Sequence, residues 1–395
     1  MNAAGGPPRP GALSTAAAIA FTLLLVATAW SIAPEGIAAA LCGVLTLAML
    51  ARTRTPWPAT PVNLAGIGWF VALLVVSLCS LDRAHSLPVI TKGLFPLLVG
   101  LGAIHGRDRR VAERAVAAYF AAFAIASVAG FAIWLSQGAS FELRARGLSG
   151  HYMTYAGQLT LVLPVAIAIA VCDTRPRWRW GAGATAALAA VALSVTFTRS
   201  AWIALFVAGS VIAGAVWPLG LLVLAVLAGA AFAFAPGAWH ERLWSIFDPH
   251  HPANQQRMYM WDAGVRMFRD HPLTGVGLQD LHPLYDRYRS PLSTERAGHL
   301  HNVYVQIAAQ MGLVGLAAFA WLYGSFVRAA SAGLRAQLKG RGFAAGLRLG
   351  VLASLAGFLV AGAFEWNFGS EVLLYQLYTL VGLAWAARAW DDGQG

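Results

Sequence analysis

Stretches of about 20 apolar residues, the length a helix needs to cross a bilayer, alternate with short polar breaks along most of the chain. They predict twelve transmembrane helices: Ser14–Ser31, Gly36–Ala51, Asn63–Ser80, Pro88–His105, Val111–Leu135, Tyr155–Cys172, Gly181–Phe197, Ala201–Val216, Leu219–Phe234, Asn302–Val327, Phe343–Phe364 and Glu371–Ala387. The pattern breaks once, where the chain turns polar from Trp239 to His301. There Met258, Trp261, Val265 and Phe268 recur at 3,4,3 spacing, one face of an amphipathic helix. Asn254-Gln255-Gln256-Arg257 reads as its capped start and Asp270-His271-Pro272 as its stop; Gly275 and Gly277 form a tight loop before a short helical piece near Leu284–Tyr288. The expected organisation is a disordered start over 1–13, a nine-helix membrane bundle over 14–235, a large loop with short helices over 236–301, and three further helices over 302–395.

Orientation follows from the basic residues, which favour cytoplasmic loops. Arg52 and Arg54, then Arg107, Arg109 and Arg110, then Arg175, Arg177 and Arg179, and last Arg335, Lys339 and Arg341 fall on one side by span count. Both termini are then cytoplasmic, and 236–301 lies outside with the loop Ser136–Thr154 and the turn Thr198-Arg199-Ser200. The first span has a weakly charged lead and no small-residue cleavage site, so it reads as a retained helix rather than a signal peptide.

With 58% hydrophobic and 11% charged residues and a mean hydropathy of +0.62, the chain lacks the surface of a soluble globular domain. The net charge of +11 is nearly all arginine, spread over loops on both faces with no basic helix, which argues against nucleic acid. Inner-side arginines suit topology and anionic lipid headgroups instead. Cys42, Cys79 and Cys172 sit within spans without CxxC spacing and read as small core residues, with no disulfide expected.

The outer polar stretch holds seven of the ten histidines and seven arginines. Arginine is sparse on that side of a membrane, so these cations point to an anionic ligand. Arg199 turns between two apolar spans with no acidic neighbour in sequence; a phosphate or a distant carboxylate would satisfy it. Arg144 and Arg146 can add to the same patch, and Arg257, one turn from Trp261, pairs either with a ligand or with a carboxylate such as Asp262. Trp244, Tyr259, Trp261, Tyr285 and Tyr288 suit an interfacial belt or sugar rings. His301 and Asn302 open a long helix, where the dipole disfavours a charged imidazole; they read either as a polar cap or as a neutral base with its neighbour. There is no HExxH, zinc spacing, GxSxG or P-loop, and the outer loops lack Asp-x-Asp, so a metal-free, cofactor-free site is expected.

His301-Asn302, nine residues, Gly312, two residues and Gly315 resemble the His-(Asn/Ser/Gln)-x9-Gly-x2-(Gly/Thr/Tyr) pattern of bacterial O-antigen ligases, within the O-antigen ligase and polymerase superfamily. Thr198-Arg199-Ser200 looks like that superfamily's Ser-Arg-(Gly/Ala) element, with Thr198 in place of serine and Ser200 in place of the small residue. Arg257-x3-Trp261 and His271-Pro272-x2-Gly275-x-Gly277 are similar to its large loop. The resemblance covers about the second half of the chain; the first five spans match only in hydropathy. It implies a GT-C-type, all-α inner-membrane glycosyltransferase of a Gram-negative bacterium, moving O-antigen polysaccharide from undecaprenyl diphosphate to lipid A-core on the periplasmic face. It implies His301 as catalytic base, Arg199, Arg257 and Arg146 as diphosphate ligands, and Asn302, Arg144 and Trp261 in support.

An O-antigen polymerase or a protein O-oligosaccharyltransferase would share this donor chemistry. Arg266, ten residues and Gly277 match a polymerase spacing, whereas the modest length argues against the protein-glycosylating type. A transporter or flippase would place ionisable residues near mid-membrane, often in repeated halves; Glu113, Glu365 and Glu371 instead fall near span ends.

Overall fold

The computed structural model describes residues 11–390, among which every regular element is helical. In chain order these are α1 Ala12–Ala27, α2 Ile32–Thr53, α3 Val62–Leu78, α4 Arg83–Ser86, a 3-10 stretch Leu87–Leu94, α5 Leu97–His105, α6 Arg109–Ser136, α7 Tyr152–Cys172, α8 Pro176–Ser194 and α9 Arg199–Val216. Then follow α10 Gly220–Phe234, α11 Gly237–Trp244, α12 Pro252–Asp270, α13 His282–Tyr288, α14 Val303–Ser331, α15 Leu334–Gly340, α16 Phe343–Ala361 and α17 Glu371–Ala387. Of the disordered start expected over 1–13, residues 1–10 lie outside the described residues, and α1 already begins at Ala12.

Each of the twelve expected spans carries helix, but they are not equal. Seven helical segments are long and apolar enough to cross a membrane, and an eighth forms if α10 and α11, bent by 114°, count as one broken span. α1, α3 and α17 are apolar but shorter. α8 has 19 residues yet opens on Arg177 and Arg179 and continues mostly in alanine and glycine, which keeps its hydropathy low.

α7 and α16 form the centre, each buried along most of its length. They approach until backbone meets backbone: a Cβ at Gly350 would strike Val165 and the Pro164 carbonyl, the small-residue contact that brings apolar helices together. The Ser354 hydroxyl adds a 2.9 Å bond to the Leu161 carbonyl across the same seam. α9 and α17 flank α16, α5 lies on α17, and α3 on α14. α10 buries only Gly220 and leans on α9 and α11.

Polar turns gather at two ends. At the basic end Arg175 pairs with Glu113 at 3.0 Å and Asp173 at 2.8 Å, Gly342 N–H donates to the Cys172 carbonyl at 2.8 Å, and the Trp390 indole donates to the Gly106 carbonyl. At the other end Gln158 donates to the Thr28 carbonyl at 2.8 Å, and Leu81 N–H donates to Val276 at 3.2 Å. The helices α11, α12 and α13 sit at this second end.

α12 differs in detail from its sequence reading. Its buried face is Met260, Ala263, Gly264 and Met267, while Met258 and Val265 are 45% and 38% exposed. The small pair Ala263-Gly264 lets α12 lie close on Leu300 and Val305, and this selects the neighbouring stripe. The cap is His251, whose ring accepts from Ala253 N–H, with Pro252 at the first helical position. That frees the Asn254 side chain for another partner.

Candidate active site

Asn302 fixes where the imidazole of His301 stands. Its Oδ1 caps α14 by accepting from Tyr304 N–H at 2.9 Å and Val305 N–H at 3.1 Å. Its amide donates to the Ala363 carbonyl at 2.9 Å, and Val303 N–H donates to Gly362 at 2.6 Å. The start of α14 is thus stitched to the turn between α16 and α17. Just before it, His301 adopts a left-handed backbone, φ +47°, a conformation uncommon for a residue with a Cβ.

This stitching brings Glu365 to His301. His301 Nδ1 lies 3.0 Å from Glu365 Oε2, and Arg257 Nη2 donates to Oε1 at 2.5 Å. Burial acts to raise the Glu365 carboxyl, but the hydrogen bond from His301 and the charge of Arg257 outweigh it and hold the group below the usual carboxylate range. An ionised Glu365 accepts the Nδ1–H of His301, which leaves Nε2 as the basic nitrogen. The His299 ring packs edge-on against His301 at 4.2 Å; burial, then the neighbouring His301, lower its basicity below that of an ordinary histidine.

Arg199, at the first position of α9, is buried. Its Nη1 donates to the Ser245 carbonyl at 2.6 Å and hydroxyl at 3.1 Å, and its Nη2 to Asn254 Oδ1 at 2.7 Å. All three acceptors are neutral, and among the described residues no carboxylate lies within ion-pair distance of it. A guanidinium has five N–H donors, so these contacts orient Arg199 without neutralising or saturating it. Arg257, Arg144 and Arg242 add positive charge around it, against Glu365 alone. Arg242 is held by the Phe197 carbonyl at 3.1 Å, and Arg144 stacks on Phe141 and Tyr152 at 4.5 and 4.7 Å. Beside them opens a cavity of about 380 Å³, whose walls include His151, Thr198, Ser200, His299 and Glu365.

Arg146 is exposed, its charge bearing on His151. Trp261 is half-buried against the cluster of Met260 and Leu300, its indole nitrogen without an acceptor. Arg257 pairs with Glu365, while Asp262 takes Arg266 at 2.6 Å.

The glycines of the two motifs meet one another. At Gly312, φ +59° and ψ −154° interrupt α14, a region open essentially to glycine alone. Through this break Leu313 N–H and Val314 N–H donate to the carbonyls of Pro272 and Leu273, while Val276 and Gly277 N–H groups donate to Ala309 and Gln310. A Cβ at Gly312 would hit Leu273, and one at Gly275 would hit the backbone at Gln310. The 272–277 loop is thereby laced to α14, with α12 at one end of the loop and His301 just before the helix, about three turns from Gly312. Gly312→Ala is expected to cost about 1–3 kcal/mol from backbone strain alone, and a thermal-unfolding midpoint equal to that of the native protein would contradict this role.

Sequence reasoning missed Glu365 and Arg242. Glu365 sat at a span end, where the only visible cue was a carboxylate on a turn facing the outer side. Arg242 belongs to a helix of eight residues without a buried position, so no periodicity marked it. Comparison with curated proteins gives no match. Residues 184–320 match the family model described as O-Antigen ligase; this span holds Arg199, Arg242, Arg257, His301 and the glycines Gly275, Gly312 and Gly315, and Glu365 lies beyond it.

Proposed function

From the match of residues 184–320 to the O-antigen ligase family model, we propose that the protein is an inner-membrane, GT-C-type glycosyltransferase that moves polysaccharide from undecaprenyl diphosphate to lipid A-core on the periplasmic face. The observation that carries this reading is the His301–Glu365–Arg257 relay beside a net-positive cluster around Arg199. His301 Nε2 takes the proton of the acceptor hydroxyl, whose oxygen attacks the anomeric carbon. The bond from that carbon to the diphosphate oxygen breaks, and the diphosphate leaves with the electron pair. Fixed guanidiniums in a partly dry site stabilise the charge that develops there. Arg199 supplies its remaining donors, and Arg257 and Arg144 supply field.

Both oxygens of Glu365 are engaged, one by His301 and one by Arg257. This supports an orienting role over a nucleophilic one, and so a single displacement with inversion. Glu365→Gln preserves the volume and removes the charge. It is expected to reduce transfer by about 10²-fold or more with membrane expression retained; undiminished turnover would leave Glu365 without a part in the reaction.

The deciding test combines purified protein, lipid-linked polysaccharide and rough lipopolysaccharide, in chelator. Polymer appearing on lipid A-core without added Mg2+ or Mn2+ supports the ligase with arginines in place of a metal. A deletion strain whose lipid A carries single-unit caps would shift the assignment to the polymerase.

A further inference from the structure

A second cavity lies at the end opposite the candidate active site. About 590 Å³ opens between α6 and α8 at the basic end. Its mouth carries Arg110 and Arg114, one turn apart on α6, and Arg177 in the first turn of α8. None of these three guanidiniums has a hydrogen-bond or ion-pair partner among the described residues. The one acid at the mouth, Glu113, is already taken by Arg109 at 2.9 Å and Arg175 at 3.0 Å, so it does not neutralise them. A basic loop that only sets topology has no need of a cavity.

A second observation is independent of charge. Trp178 lines this cavity and is 8% exposed, yet its indole Nε1 has no acceptor. A buried donor left unpaired costs roughly 1–3 kcal/mol, and an oxygen acceptor arriving in the cavity would satisfy it. Further along α6 and α8 the wall turns apolar and small, with Ala117, Ala121 and Gly181 exposed and open space above Gly181.

We propose that this cavity is a binding site for an anionic glycerophospholipid, with the phosphodiester held by Arg110, Arg114 and Arg177, the Trp178 indole donating to one of its oxygens, and an acyl chain lying along the α6–α8 groove. Three unpaired cations favour a headgroup of net negative charge over a zwitterion, whose ammonium would be repelled. The site lies on the opposite face of the bundle from the transfer chemistry, so the bound lipid serves as a fixed structural component, tying α8 to α6.

The test is native mass spectrometry of the full chain in detergent, titrated with phosphatidylglycerol or phosphatidylethanolamine. Phosphatidylglycerol should be retained by the native protein over phosphatidylethanolamine, and R114Q/R177Q should lower that retention by roughly tenfold or more. R52Q/R335Q removes two exposed basic-end arginines away from the cavity and should leave retention unchanged. W178F keeps every charge and should still lower retention by about threefold to tenfold, which holds the proposal open to refutation even if the arginine variant misfolds. Equal retention of the two lipids, an equal loss in R52Q/R335Q, native retention in W178F, or full displacement by millimolar inorganic phosphate would each overturn the assignment.

Discussion

Replacing His301 by alanine is expected to lower polysaccharide transfer by about 10²–10⁴-fold, the usual contribution of a positioned general base, while the protein still reaches the membrane in normal amount. The expectation rests on geometry. Nδ1 faces Glu365 at 3.0 Å, so the ring has one nitrogen assigned to its partner and one left for an acceptor hydroxyl. Asn302 fixes the helix start, and His299 limits rotation of the ring from the other side. Purified His301→Ala should retain the native elution profile, because the cap belongs to Asn302. The double variant His301→Ala, Glu365→Gln should be little worse than His301→Ala alone, since residues acting as one unit are strongly non-additive. Near-native turnover in purified His301→Ala would remove the residue from the mechanism, and additive losses would mean that Glu365 acts by another route.

Arg199→Ala should also come close to abolishing transfer, by about 10²–10³-fold, as when a fixed donor to developing charge is lost. Here a structural role must be separated from a chemical one, because Arg199 also ties the Ser245–Asn254 segment to the start of α9. Arg199→Lys makes the separation. Lysine keeps the charge but lacks the planar fork, so it cannot hold Ser245 and Asn254 while offering further donors in a set direction. If Arg199 stabilises the leaving diphosphate, Arg199→Lys should lower kcat well below native while donor KM changes less. Should both variants lose only thermal stability, with kcat intact in the folded fraction, Arg199 is a staple and nothing more.

The bundle was legible because a membrane-spanning helix writes its length directly into composition. Even so, hydropathy alone gave α8 and α17 the same standing as α7, whereas one is rich in alanine and glycine and the other is short. On α12 the error was more local. Large apolar residues at 3,4,3 spacing suggested the buried face, but close contact with Leu300 and Val305 selected the stripe containing Ala263 and Gly264. Periodicity weighs size as hydrophobicity; packing rewards what fits. The capping function of Asn302 and the basic character around Arg199 could be read from position. The identity of the partners could not, since Ser245, Asn254 and Glu365 reach Arg199, Arg257 and His301 only through long-range folding. Neutral oxygens of Ser245 and Asn254 hold Arg199 in place, a role its position in the sequence did not reveal.

The stitching of Asn302 to Ala363 and of Val303 to Gly362 also sets an order of events. His301 leaves the ribosome well before Glu365, and α14, α15 and α16 must be in place before the turn that carries the carboxylate can dock. During synthesis His301 and Arg257 therefore exist for a time without the carboxylate that binds both. Maturation of the centre coincides with docking of the turn between α16 and α17, so a half-inserted chain lacks the completed His301–Glu365–Arg257 arrangement.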